Sequence, residues 1–203
     1  MNIEAGGIDL EAEASPPRSA RDPVVILAHP HPQMGGDMHN KVIDGIFRRS
    51  LERGWGAVRF NFRGVGKSTG GFDGGVGETE DLLGVITWAS ANFNVPIRMA
   101  TIAGYSFGAW VGARAAARLP DLKRLVLIAP PVNLFDFSPL AGVTHSKHVF
   151  AAERDEIVPL AAVEQWFSKL TAPKALTVVR DADHAFVGQT AELLRSVLRT
   201  IQD

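Results

Sequence analysis

The feature that most constrains this chain is a series of short apolar runs interleaved with helical patterns. Val24–Ala28, Ala57–Asn61, Ala100–Gly104, Leu125–Ala129, Val149–Ala152 and Leu176–Val179 are short and apolar throughout, as strands covered on both faces must be. Amphipathic stretches fall between or after them, at Asn40–Arg53, Glu78–Asn92, Ser106–Arg118, Pro159–Leu170 and Thr190–Ile201. Strand and helix in alternation predict an α/β fold: a mostly parallel, doubly wound sheet with helices on both faces. A Gly6-Gly7 pair between short alternating runs adds a candidate hairpin on the sheet edge. No repeat, low-complexity tract or linker divides the 203 residues, so the expectation is a single domain over 1–203.

Composition narrows the chemistry. The 21 basic and 22 acidic side chains are interspersed, leaving a net charge of -1 and no basic face for nucleic acid. No cysteine occurs, which rules out a disulfide framework, a thiol nucleophile and any cysteine-based zinc site. The first residues carry Glu4, Asp9, Glu11 and Glu13 where a secretory signal needs basic and then apolar residues, so a cytoplasmic location is expected. No apolar run approaches the ~20 residues of a membrane span, so no membrane insertion is expected.

One stretch raises a question of its own. Asn61-Phe-Arg-Gly-Val-Gly-Lys-Ser-Thr69 ends like a phosphate-binding P-loop. Such a loop needs a glycine where this chain has Asn61, and a helix opening at the Lys-Ser pair. The residues after Thr69 are instead rich in glycine, each costing roughly 1 kcal/mol against alanine in a helix. The phosphate reading of Lys67 fails on context.

The chemistry concentrates elsewhere. The run into Gly104-Tyr-Ser-Phe-Gly108 is followed directly by a helical pattern, so Ser106 sits in a G-x-S-x-G turn between strand and helix. Glycines two before and two after remove bulk where a strained turn packs tightly. Ser106 then projects at a helix N-terminus, with the Phe107 amide facing a reacting carbonyl. A serine hydroxyl needs a base, and the base needs a partner to set its tautomer. Asp155 follows the run Val149–Ala152 and His184 follows Leu176–Val179. In a parallel sheet the carboxyl ends of all strands share one edge, so Ser106, Asp155 and His184 can converge there. Taken singly, Asp155 reads as a helix cap before Pro159 and His184 as a loop histidine. Neither reading explains their succession at strand ends.

These motifs resemble the α/β-hydrolase superfamily over nearly the whole chain. GYSFG is similar to its nucleophile elbow, ERDEIVP to its acid turn and DADHAF to its histidine loop. More narrowly, AHPHPQMGG, RFNFRGVGKSTGGFDGGVGETED, GYSFGA and APPVNLFDFS, in that order, resemble a subgroup of small bacterial hydrolases related to dienelactone hydrolases and labelled as predicted esterases. The resemblance implies that RGVGKS is a structural loop shaped by its glycines beside the site, with no phosphate on Lys67. It also implies an oxyanion hole built from the Phe107 amide and one in the loop after Val24–Ala28. Pro30 and Pro32 have no N–H, which leaves His31 first and Gln33 second.

The expected function is hydrolysis of small or short-chain acyl esters by a carboxylesterase-type serine hydrolase that uses no cofactor and no metal. Residues 130–148 are too few for a helical lid, so an open site without a cap domain is expected. Two alternatives stay beside it: a non-enzymatic relative binding a ligand or partner in the same cleft, and a metal-dependent hydrolase using His29 and His31. Edge strands and the amphipathic C-terminal helix leave room for a homodimer.

Overall fold

A computed structural model describes residues 1–203. The chain opens with a hairpin, β1 (Asn2–Ala5) and β2 (Ile8–Ser15), turning at Gly6 and Gly7, both at positive φ. It then alternates: β3 (Val24–Ala28), α1 (Lys41–Glu52), β4 (Gly56–Phe60), α2 (Val76–Phe93), β5 (Ala100–Tyr105), α3 (Phe107–Ala116) and β6 (Arg124–Ile128). The last elements are β7 (Ser146–Ala152), α4 (Leu160–Ser168), β8 (Lys174–Val179) and α5 (Thr190–Gln202). All eight strands form one sheet in the order β1-β2-β4-β3-β5-β6-β7-β8. The pairs β1–β2 and β2–β4 are antiparallel, and every other pair is parallel. The expected doubly wound, mostly parallel α/β sheet is present, with its two antiparallel pairs at one edge. Between β6 and β7 the chain forms only one short 3₁₀ turn, Ser138–Leu140.

Each central strand feeds two cores. Along β3, Val24, Ile26 and Ala28 belong to the core that α2, α3 and α4 also enter, whereas Val25 and Leu27 belong to the core shared with α1 and α5. Alternation of side chains across the pleat therefore needs apolar residues at every position, which is why these strands read as unbroken runs. The stripe Leu193, Leu194, Val197, Leu198 and Ile201 of α5 closes the second core against Val42, Ile43 and Ile46 of α1. The helices approach closely at Gly45, where a Cβ would press on the Leu194 side chain. β8 departs from expectation: it is the sheet edge and mostly half-buried, so its apolar run was not evidence of a central position. No helix is long and apolar enough to cross a membrane.

Candidate active site

At the carboxyl edge of β5, Ser106 adopts φ 53° and ψ -117° before α3 begins at Phe107. A non-glycine residue in this region stores about 1–3 kcal/mol of strain, which the surrounding structure must over-determine. The packing shows how. A Cβ on Gly104 would overlap the Gly108 carbonyl, and one on Gly108 would overlap the carbonyls of Ala28 and His29. The elbow is thus pressed onto the end of β3, and the Ser106 amide is held by the Ile128 carbonyl at 2.8 Å.

The turn after β7 and the loop after β8 meet this elbow. Asp155 is buried, and its Oδ1 accepts from the amides of Ile157 (2.9 Å) and Val158 (2.7 Å). Its Oδ2 lies 2.7 Å from His184 Nδ1, and His184 Nε2 lies 3.0 Å from Ser106 Oγ. An ionised carboxylate only accepts, so Nδ1 carries the proton and Nε2 accepts from the serine hydroxyl. The neighbouring acids are occupied elsewhere. Asp183 Oδ1 accepts from the Val187 amide at 2.9 Å, and Asp181 pairs with Arg154 on the surface.

Tyr105 went unread in the sequence. It is the only tyrosine in the chain and immediately precedes Ser106, which is the signal that could have drawn notice. Its hydroxyl donates to the His184 carbonyl at 2.7 Å, and its ring lies 5.8 Å from the imidazole. Burial, reinforced by Asp155 and Asp183, pushes the phenol up from its ordinary value, so it stays a donor.

The loop after β3 holds the remaining candidates. His29 is fully buried; its Nδ1–H donates to the Pro30 carbonyl at 2.7 Å and its Nε2 accepts from the Phe62 amide at 3.0 Å. Burial holds this imidazole down at about 4, so it is neutral. With both nitrogens spent on backbone groups, metal binding would break two buried hydrogen bonds, and His29 does not fit the metal-ligand alternative. His31 packs against Phe107 and Phe72, with ring centroids 4.8 and 5.1 Å away. Its Nδ1 accepts from the Gln33 amide at 3.2 Å. Gln33 therefore spends its N–H inside the loop and does not line the cleft beside Ser106, whereas His31 does. Phe107, as the first residue of α3, has an amide that no carbonyl of the helix can satisfy.

The loop 61–69 has a different neighbour from the one expected. It docks on the edge hairpin: Thr69 donates its amide to the Asp9 carbonyl, Ser68 Oγ accepts from the Glu11 amide, and the Lys67 amide donates to Glu11 Oε2, each at 2.9 Å. Gly64 and Gly66 both take positive φ, and the Lys67 side chain is exposed. The link to the site runs through Asn61, whose Oδ1 accepts from the Met38 amide at 2.8 Å, and through the Phe62–His29 bond. The glycine-shaped turn lies on the hairpin, and only its first residues brace the loop that carries His31.

A cleft of about 550 Å³ opens over Ser106, Phe107, His31 and His184. No aspartate, glutamate, lysine or arginine lines it.

Residues 6–182 match the family model of the X-Pro dipeptidyl-peptidases (S15 family). An uncharacterized protein of Rickettsia prowazekii (strain Madrid E) is 32% identical over 204 residues, covering 95% of this chain and 85% of that protein. Among solved structures, an alpha-beta serine hydrolase homologue from Coxiella burnetii is 34% identical with a TM-score of 0.90, covering 98% of this chain and 95% of that one. A serine hydrolase without a lid from Xanthomonas campestris is 36% identical with a TM-score of 0.85, covering 98% and 91%.

Proposed function

The chain belongs to the S15 family of the α/β-hydrolase superfamily, among its small lidless bacterial members, and from that premise we propose that it is a carboxylesterase-type serine hydrolase acting on uncharged acyl esters. The observation that carries the proposal is the relay Ser106 Oγ, His184 Nε2, His184 Nδ1, Asp155 Oδ2, with gaps of 3.0 and 2.7 Å between its side chains. Ser106 attacks the ester carbonyl as His184 takes its proton, and Asp155 stabilises the imidazolium. The amides of Phe107 and His31 receive the oxyanion, each worth about 2.7–4 kcal/mol to the transition state. Collapse breaks the ester C–O bond, the alkoxide leaves with the proton from His184, and Ser106 remains acylated. Water, deprotonated by the same histidine, then attacks the acyl carbon; the bond to Ser106 Oγ breaks, His184 returns the proton to the serine, and the acid is released. No step draws on a cofactor or a metal.

The cleft chemistry supports esters over the peptide substrates that the family description names. A dipeptidyl-peptidase must hold the protonated amine of its substrate, and a cation taken from water needs an anion. None lines this cleft. A fluorophosphonate should label Ser106 stoichiometrically, and Ser106→Ala should abolish labelling and lower p-nitrophenyl ester turnover by about six orders of magnitude. Activity surviving at a tenth of wild type in Ser106→Ala would refute the proposal.

A further inference from the structure

Six large apolar side chains stay exposed on this protein, and three of them meet at one cleft. Met34 (83% exposed), Leu134 (60%) and Ile157 (52%) all line the cleft over Ser106. A fourth, Val187 (68%), lies in the loop that carries His184. The three lining residues come from separate segments: the turn after β3, the stretch after β6 and the turn after β7. Asn133 Nδ2 donates to the Ile157 carbonyl at 3.0 Å and ties two of these segments together, so the apolar rim is a built feature. Behind it, Phe135 stacks on Trp110 with centroids 4.4 Å apart and continues the apolar surface inward toward Phe107. Because the rim adjoins Ser106 and His184, a molecule bound at the serine would cover it, as apolar side chains around ligand clefts do.

We propose that Met34, Leu134 and Ile157 form a substrate subsite that holds an extended, uncharged alkyl or aryl chain running from the scissile ester out of the cleft. This rests on the serine-hydrolase reading and deepens it: the open mouth is an apolar runway, and the preferred ester is a longer one than the absence of a lid suggested. The occupant is the substrate itself because the rim is continuous with the surface beside Ser106 and His184. With no charged lining residue, a carboxylate or ammonium taken from water inside the cleft would have no counter-ion, which favours an uncharged chain there. His31 supplies the polar counterpoint. Its Nδ1 accepts from Gln33, so the proton of the neutral ring sits on Nε2 and is available to an ester oxygen.

Two ester series test this and locate the chain. In p-nitrophenyl esters the acyl group is lengthened from acetate to decanoate, and in n-alkyl acetates the alcohol is lengthened. We expect kcat/KM to rise about fourfold per methylene over the first several carbons, the fold-change equivalent to about 0.8 kcal/mol per buried CH₂. A rise in the first series places the chain on the acyl side, and a rise in the second places it on the alcohol side. Leu134→Ser and Met34→Ser replace exposed side chains, so folding is preserved; they should flatten the rise through KM while leaving methyl acetate, which has no chain to lay on the rim, within a few-fold of wild type. No chain-length dependence in either series, or an unchanged profile in both variants, would overturn the proposal. A separate readout divides this from the catalytic reading: 2-octanone should raise the Tm of Ser106→Ala more than acetone does, and less so once Leu134→Ser is added. If Ser106 resists fluorophosphonate and that shift is present, the subsite stands and the catalytic assignment falls.

Discussion

The Tyr105 hydroxyl donates to the backbone carbonyl of His184 at 2.7 Å, joining residues 79 apart in sequence. The residue before the serine thereby fixes the loop that carries the histidine, and the imidazole is held at the same edge of the sheet as Ser106. Tyr105→Phe keeps the ring and removes only the donor, so stability should fall by about 1 kcal/mol. Tyr105 is a positioning residue, so kcat should fall about tenfold with KM little changed. NMR titration of His184 should show its imidazole signals broadened in the variant; unaltered signals with unaltered kcat would remove this role from Tyr105.

Of the acids near the histidine, Asp155 alone touches it. Asp155→Asn should preserve the fold and lower kcat by about four orders of magnitude, because an amide can favour the wrong tautomer of His184. Asp183→Asn loses only the turn contact to the Val187 amide and should stay within a few-fold of wild type. Ester kinetics on the two purified variants decide between them, and the reverse ranking would transfer the acid role to Asp183.

Lys67 is exposed and hydrogen-bonds to the fold through its backbone amide, so Lys67→Ala should leave ester hydrolysis within a few-fold of wild type. ATP should leave the Tm unmoved, where a ligand at 100 times its Kd would add about 2.7 kcal/mol. Gly66 is different. At φ 58° a β-branched residue is strained, and a Cβ there would lie 2.5 Å from both Asn61 Nδ2 and Glu11 Oε2. Gly66→Val should cost about 2 kcal/mol or more in urea unfolding. Because Asn61 also holds the Met38 amide, catalysis should weaken with it.

The buried His29 makes stability depend on pH in a defined window. Its folded value is held at about 4 by burial, against an ordinary 6.5, so between these the unfolded chain binds a proton that the folded chain does not. Stability is fully present above about pH 6.5, falls as pH drops towards 4 and levels off below it, with a total loss of about 3 kcal/mol. Urea unfolding across this range should show the slope, and His29→Gln should lower overall stability while reducing the slope. An equal slope in the variant would assign the proton uptake to other groups.

The sequence by itself determined the strand–helix alternation, because side-chain periodicity is a local property and a strand covered on both faces must be apolar at every position. It also determined that Ser106, Asp155 and His184 belong at strand ends, since the carboxyl ends of parallel strands share an edge. It likewise put the P-loop reading of Lys67 aside, because glycines cannot open the helix such a loop requires. Tertiary structure decided the rest, through competition for hydrogen bonds and through contacts between distant segments. The sequence ranks His31 ahead of Gln33 but leaves both as donors, and only the folded loop spends the Gln33 amide on the His31 ring. The run at Leu176–Val179 reads as a strand covered on both faces, yet strand order is set by how the crossovers pack, and that placed it at the edge. Met34, Leu134 and Ile157 are unremarkable loop residues one at a time. Their meeting around one cleft follows from three separate strand ends being brought together, which no local pattern encodes.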